Sequence, residues 1–547
     1  MIWEKKMGKF WGTMILLTIM VVLAIGGYFA EPAGGVARAE VRAVWVDAFH
    51  DGAKTPAQVD KLIKDCLTAN INTIFVQVRR RGDAYYNKSN EPRTEDPDLE
   101  PGFDALQYLI EKAHGHRIEV HAWLNTLVAW NSAIPPKDGN HVWNRHGPQA
   151  KAASNWLCNY RSFDTEKKTW SDRLKYSYFL DPGHPDALDY TVDTYLQVVK
   201  NYDVDGIHLD YSRYDGLGFG YNETNVARYN ARYGTTGLPQ PDDPRWMQWR
   251  RDQTANLVRK IYLKTLAIKP EMKVSSAVIT WGGGPVAADD WEKTSAYTVA
   301  GQDWREWLKE GIIDMVVPMN YFCEWKPNEQ LWYNQWIEWE KDNQYGRQII
   351  IGPGVFTNYI EQSLDQIRRA QAPSARGNYA AGVSLFAYGW NNLYSNDGYK
   401  SANRTKALPR QPYVYREDSN DWFFTVLARR GDYPEPASQQ KIATEPVFPA
   451  PAEIPAMPWK SNPTTGYLMG TVAGDDGKPN DGLKVKVESC DADTHVKREA
   501  LTDGNGWYGL TELPPGKYRI ALEGGNSAGC PPVEATVRAG QVAQADF

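Results

Sequence analysis

The stretch that decides the fold is VDGIHLDYSRYD, residues 204 to 215. Ile207, Leu209 and Tyr211 share one parity, and His208, Asp210 and Ser212 share the other. Alternation of this kind marks a strand whose two faces meet different surroundings. The even face carries a carboxylate, which is costly to bury unless it is paired, hydrogen-bonded or put to chemical use. A strand packed on both sides and ending in polar groups is what a parallel barrel supplies at its catalytic mouth.

Working outward, seven further runs have the same character: RAVWVDAF (42–49), NTIFVQVR (72–79), IEVHAWLN (118–125), KVSSAVITW (273–281), DMVVPMNY (314–321), QIIIGPGV (348–355) and GVSLFAYGW (382–390). Helical stretches lie between them, such as PAQVDKLIKDCLTAN and PDALDYTVDTYLQVVKNY; the second opens on Pro185 with acidic residues close by, a helix-start signal. Eight such units predict an α/β fold, a (β/α)8 TIM barrel, over residues 40–435. A doubly wound sheet is disfavoured because no GxGxxG turn follows the first strand.

The flanks read differently. Lys5, Lys6 and Lys9 precede an apolar run and then Ala37-Arg38-Ala39, so residues 1–39 have the form of a signal peptide, with a membrane anchor as the alternative. Either one places the rest outside the cytoplasm, secreted or anchored to the membrane. Residues 436–465 are Pro- and Ala-rich and read as a semi-extended linker. Residues 466–547 alternate over short runs separated by Gly, Asp and Pro, which predicts a small all-β sandwich. DGNGWYGLTELPPGKYRI within it resembles the carboxypeptidase-regulatory-like β-sandwich modules.

Composition narrows the function. The 547 residues carry a net charge of −6, and no basic tract suggests a nucleic-acid partner. The 22 Trp and 31 Tyr, many beside Asn, Asp and Arg, suit a groove that stacks sugar rings. Five cysteines show no CxxC spacing, and Cys490 and Cys530 are the pair that could bridge within the last segment. No HExxH, GxSxG or P-loop is present, so no metal and no cofactor are expected.

With alternate residues facing inward, the strand ends present Asp47, Gln77 and Arg79, His121 and Asn125, His208 and Asp210, Asn320, and Tyr388 and Trp390. Glycoside hydrolysis needs two carboxyl groups, one protonating the leaving oxygen and one attacking or activating water. Asp210 is the best candidate. Glu91, on the long loop after the second strand, is the favoured partner, ahead of Asp47 and Glu324. Asp83 suits a turn or a hydroxyl ligand. Arg79 or Arg213 beside Asp210 would hold it ionised, leaving Glu91 as the acid.

The segments VRAVWVDAF, TIFVQVRRRGDAYYNKSNEP, IEVHAWLN, FLDPGHPDALDY, VDGIHLDYSRY and DMVVPMNY together resemble the bacterial glycosyl-hydrolase-10-like family, over roughly residues 40 to 435. The resemblance implies an exported TIM-barrel glycosidase acting on peptidoglycan strands stripped of their peptides. It carries Asp210 and Glu91 to the acidic positions and Arg79, Asp83, Asn125 and Asn320 to the polar groove. Two departures concern the substrate: EPRTEDPD follows Glu91 in place of an aromatic-and-serine run, and HLDYSRY lacks a second acid after Asp210. DGIxLD is also compatible with assistance by a substrate N-acetyl group, although the glutamate that follows in such enzymes is missing. The rival readings are a non-catalytic glycan-binding or wall-anchoring protein and a hydrolase of another extracellular polysaccharide.

Overall fold

In the barrel, eight parallel strands close on themselves: β1 (Val41–Val46), β2 (Thr73–Arg79), β3 (Glu119–Asn125), β6 (Gly206–Asp210), β7 (Lys273–Val278), β8 (Met315–Asn320), β9 (Gln348–Pro353) and β10 (Gly382–Phe386). Between β3 and β6 the chain inserts an antiparallel hairpin, β4 (Leu157–Asp164) and β5 (Thr169–Leu180). The computed structural model describes residues 38–547 except 288, 396–415, 436, 437, 439, 475, 476, 492–494 and 524–530. The leader segment and Cys530 therefore lie outside the described residues. Among the described residues no helix is long and apolar enough to cross a membrane.

Strand parity divides the core into two shells. Val44, Val46, Ile74, Val76, Val120, Ala122, Ile207 and Leu209 face the surrounding helices, as parallel strands buried on both sides require. Val41, Ala43, Trp45, Phe75, Trp123, Ala277, Met315, Val317 and Ile350 fill the interior. That interior is a packed aromatic stack rather than a pore. Phe75 lies 4.4 Å from the His208 ring and Trp45 lies 5.7 Å from Phe386, centroid to centroid. Gly206 makes room at the lower end, where a Cβ would run into the His121 ring.

The Pro-rich segment is extended, but it is not a free spacer. The Glu40 amide donates to the Glu453 carbonyl, Asn72 to the Ala452 carbonyl and Arg42 to the Ala450 carbonyl. Met457 then enters the lower end of the barrel interior. Trp459 anchors this strap through its indole N–H, 2.7 Å from the buried Asp314 carboxylate, which Lys460 also pairs at 3.1 Å.

Beyond the strap, two small sheets enclose one apolar cluster that includes Leu468, Val485, Val487, Tyr508, Tyr518, Ile520 and Val537. The three-stranded one of them rests on the long helix Pro244–Ile268. The Lys260 ammonium is buried between Asp189 at 2.6 Å and Asp503 at 3.0 Å, and Arg228 pairs Asp481 at 2.6 Å. The C-terminal sheets thus belong to the same compact unit as the barrel.

Candidate active site

The upper ends of β1 and β6 bring two carboxylates to the mouth. Asp210 ends β6 and is 7% exposed. Its Oδ1 accepts the Tyr211 amide at 2.7 Å. Tyr211 itself holds φ at 52°, a left-handed conformation that a bulky residue enters only where its surroundings impose it. Burial pushes the Asp210 carboxyl up to about 6, against the opposing pull of the Arg213 charge, the Tyr211 amide and the Trp123 indole. Arg213 pulls Asp210 toward the ionised form while itself pairing Asp215 at 3.2 Å, and desolvation outweighs that pull.

Asp47 follows β1 and receives only donors: the Phe49 and His50 amides at 2.7 and 2.9 Å and the His50 ring, with Nδ1 at 2.9 Å from both oxygens. Burial lowers the His50 imidazole, yet its hydrogen bond and charge interaction with Asp47 more than offset this and hold it above its ordinary value. Tyr321 packs 4.9 Å from Phe386 and 6.4 Å from Trp45, within reach of the charges of both acids. Its hydroxyl is pushed well up by burial and by the charges of Asp210, Tyr211 and Asp47. Aromatic rings surround this mouth: Phe49 is 59% exposed, Trp281 is 42% exposed and lies under the Arg213 guanidinium, and Trp390 packs 4.3 Å from Phe356 and 5.6 Å from His50.

Other expected site residues are placed differently. Glu91 is fully buried at its side chain, clamped by Arg79 at 2.7 and 2.8 Å and by the Tyr190 hydroxyl at 2.7 Å. Arg79 spends its remaining donors on the carbonyls of Asn125, Thr126 and Val128. The pair braces the loop after β2 and leaves neither group facing the mouth. Asp83 is buried in the same loop, where it accepts the Thr94 hydroxyl at 2.7 Å and the Arg81 amide at 3.0 Å. Glu324 is held by Arg369, Gln330 and Gln366.

His208 faces inward as expected but lies below the mouth. Its Nε2 accepts the Trp45 indole at 3.0 Å and its Nδ1 meets the Ser275 hydroxyl at 2.8 Å, while burial holds it neutral, well below its ordinary value. His121 is one layer lower, at the end that Met457 closes, against Glu119. Gln77 and Asn125 form a belt under the mouth: Gln77 donates to the Asn125 oxygen at 3.0 Å and accepts the Ala48 amide at 2.9 Å.

Asn320 points away from the barrel interior, because the inward set on β8 is Met315, Val317 and Met319. Its amide donates to both oxygens of Glu340 on the helix Pro327–Asp342, and burial pushes that carboxyl up to about 8. Tyr388 lies past the end of β10 and donates to Asp65 at 2.7 Å in the helix layer. Tyr211 sits at the mouth, with Arg213 4.6 Å over its ring.

The sequence reading missed His50, Trp123 and Tyr321. Asp47 followed three residues later by a histidine was the available signal for His50. Among the described residues, no group of three or more His, Cys, Asp or Glu is arranged to hold a metal.

The family model for glycosyl hydrolase-like 10 matches residues 40–368, more than half of the chain and all strands of the barrel up to β9. The chain belongs to the glycosyl hydrolase-like 10 family. Glycosyl hydrolase YngK of Bacillus subtilis is 29% identical over 305 residues, covering 52% of this chain and 54% of that protein. Glycosyl hydrolase DigH of Escherichia coli K12 is 28% identical over 276 residues, 49% of this chain and 58% of that protein. The match thus spans little more than half the length of these curated relatives. Among solved structures, the PgaB glycoside hydrolase domain from Bordetella bronchiseptica aligns with a TM-score of 0.45 and 16% identity, over 64% of this chain and 94% of that one.

Proposed function

We propose that the protein is an exported glycoside hydrolase that cuts a bacterial cell-wall glycan, peptide-free peptidoglycan strands being the substrate class. The observation that carries the reading is Asp210: a carboxyl raised to about 6 at the rim of an aromatic-lined barrel mouth, with Asp47 as a second carboxylate there. A carboxyl raised by burial is the form a glycosidase uses to protonate the leaving oxygen, while a second carboxylate attacks or activates water. Asp210 is assigned as the acid. Asp47, steadied by His50, is assigned as the base or nucleophile in place of Glu91. The export half of the reading rests on the residue 1–39 signal pattern, and the substrate half on the family resemblance.

The test uses the chain from Glu40 onward. It is incubated with peptide-free strands and with intact sacculi, and products are identified by mass spectrometry. Release of short sugars from the stripped strands that disappears in Asp210→Asn and Asp47→Asn supports the reading. Tight binding without any product in the wild-type chain would show a glycan-binding protein instead. Cleavage of another polysaccharide in preference would overturn the substrate class.

A further inference from the structure

The β4–β5 hairpin is a large insertion that the reaction at Asp210 does not itself use. It reaches the mouth: Ala129 donates to the Tyr178 carbonyl at 2.7 Å, and Val128 bridges Phe179. From Tyr211, the residue after Asp210, a line of rings runs outward along this hairpin. Phe179 lies 5.8 Å from Tyr211, Phe219 lies 6.4 Å from Phe179, and Tyr160 stacks on Phe219 at 5.0 Å. All four residues are half-exposed. A backbone bridge between Tyr160 and Phe219, and the Arg161 amide donating to the Gly218 carbonyl at 2.9 Å, hold the line in place.

Resting on the hydrolase reading above, we propose that Tyr211, Phe179, Phe219 and Tyr160 form the binding strip for the stretch of glycan chain that continues beyond the sugar at Asp210. The strip is continuous with the mouth at Tyr211, so a chain seated at Asp210 passes over it. Its chemistry is mixed in the way sugars require. Ring faces suit the apolar faces of pyranoses. Two phenol hydroxyls, the exposed Lys175 opposite Tyr160 and Arg213 over Tyr211 supply partners for hydroxyl and acetamido groups. A protein partner would favour a more apolar and closed patch. The consequence is a preference for long chains, because sugars on the strip contribute binding that a short fragment cannot reach.

The test measures binding by calorimetry in the Asp210→Asn chain, which removes turnover. The probes are a long fraction of peptide-free peptidoglycan strands and the disaccharide from the same source. The expected result is a clear preference for the long fraction, and a fall of about tenfold in that preference when Tyr160→Ala and Phe219→Ala are added. Tyr160→Phe with Phe219→Tyr should keep it, and near-ultraviolet circular dichroism checks that each variant is folded. Equal affinity for the two probes, or a preference untouched by the double substitution, would overturn the strip. Binding that follows the expected pattern in a chain that never cleaves would sink the hydrolase reading and leave the strip standing. Cleavage without length preference would do the reverse.

Discussion

Replacing Asp210 with asparagine removes a charge from a place where burial opposes it, and the size of the effect follows from the site. The carboxyl rises from an ordinary 3.8 to about 6. At about 1.4 kcal/mol per tenfold step, keeping it ionised in the folded protein costs about 3 kcal/mol. Because the folded-state value is the higher one, the folded chain holds a proton between pH 4 and 6 that the unfolded chain has lost. The stability tied to this group is therefore complete below about pH 4, falls as the pH rises through 6 and is level above that. Asparagine is neutral throughout and keeps an oxygen for the Tyr211 amide. The variant should match the wild type near pH 4 and exceed it by about 3 kcal/mol at pH 7 to 8. Chemical denaturation of both chains across this range reads the difference directly, and carboxylates common to both cancel. A stability difference that does not change with pH would refute the argument that burial sets the state of Asp210.

Three further outcomes follow. If Asp210 is the acid, kcat/KM should fall as pH rises through about 6, and a rise there would identify a base instead. Arg79→Met leaves Glu91 buried without its counter-charge and should cost about 3–5 kcal/mol in denaturation, with Arg79→Met plus Glu91→Leu recovering much of it; equal loss in the double variant would contradict this. Met457→Ala opens a cavity at the barrel floor and should cost about 2–5 kcal/mol by the same assay, whereas a free linker residue would cost nothing.

The strands were legible because parallel barrel strands are apolar on both faces and punctuated by turns. Parity led to Asp47 and Asp210, and both lie at the upper ends of their strands. It failed at Asn320, where the strand carries its inward set on the odd residues, and at Tyr388, where the chain has already left the strand and alternation no longer applies. Parity also says nothing of depth, so His121 and His208 were assigned to a mouth that lies above them. Glu91 was misplaced for another reason. Its pairing with Arg79, twelve residues earlier, is a loop conformation that neither periodicity nor composition encodes, and the same holds for His50 folding back on Asp47.

The strap beneath the barrel also bears on the order of folding. β1 can complete its pairing only with β10, more than 330 residues later, and its lower edge is covered only when residues 450 to 457 arrive. Such sequence-distant closure is slow, since the entropy of the loop is spent before the contacts form. Until then the aromatic interior has an open end. A chain emerging from its N-terminus spends that interval with Trp45 and Phe75 accessible, so the window in which it needs protection from aggregation closes with the strap rather than with the eighth strand.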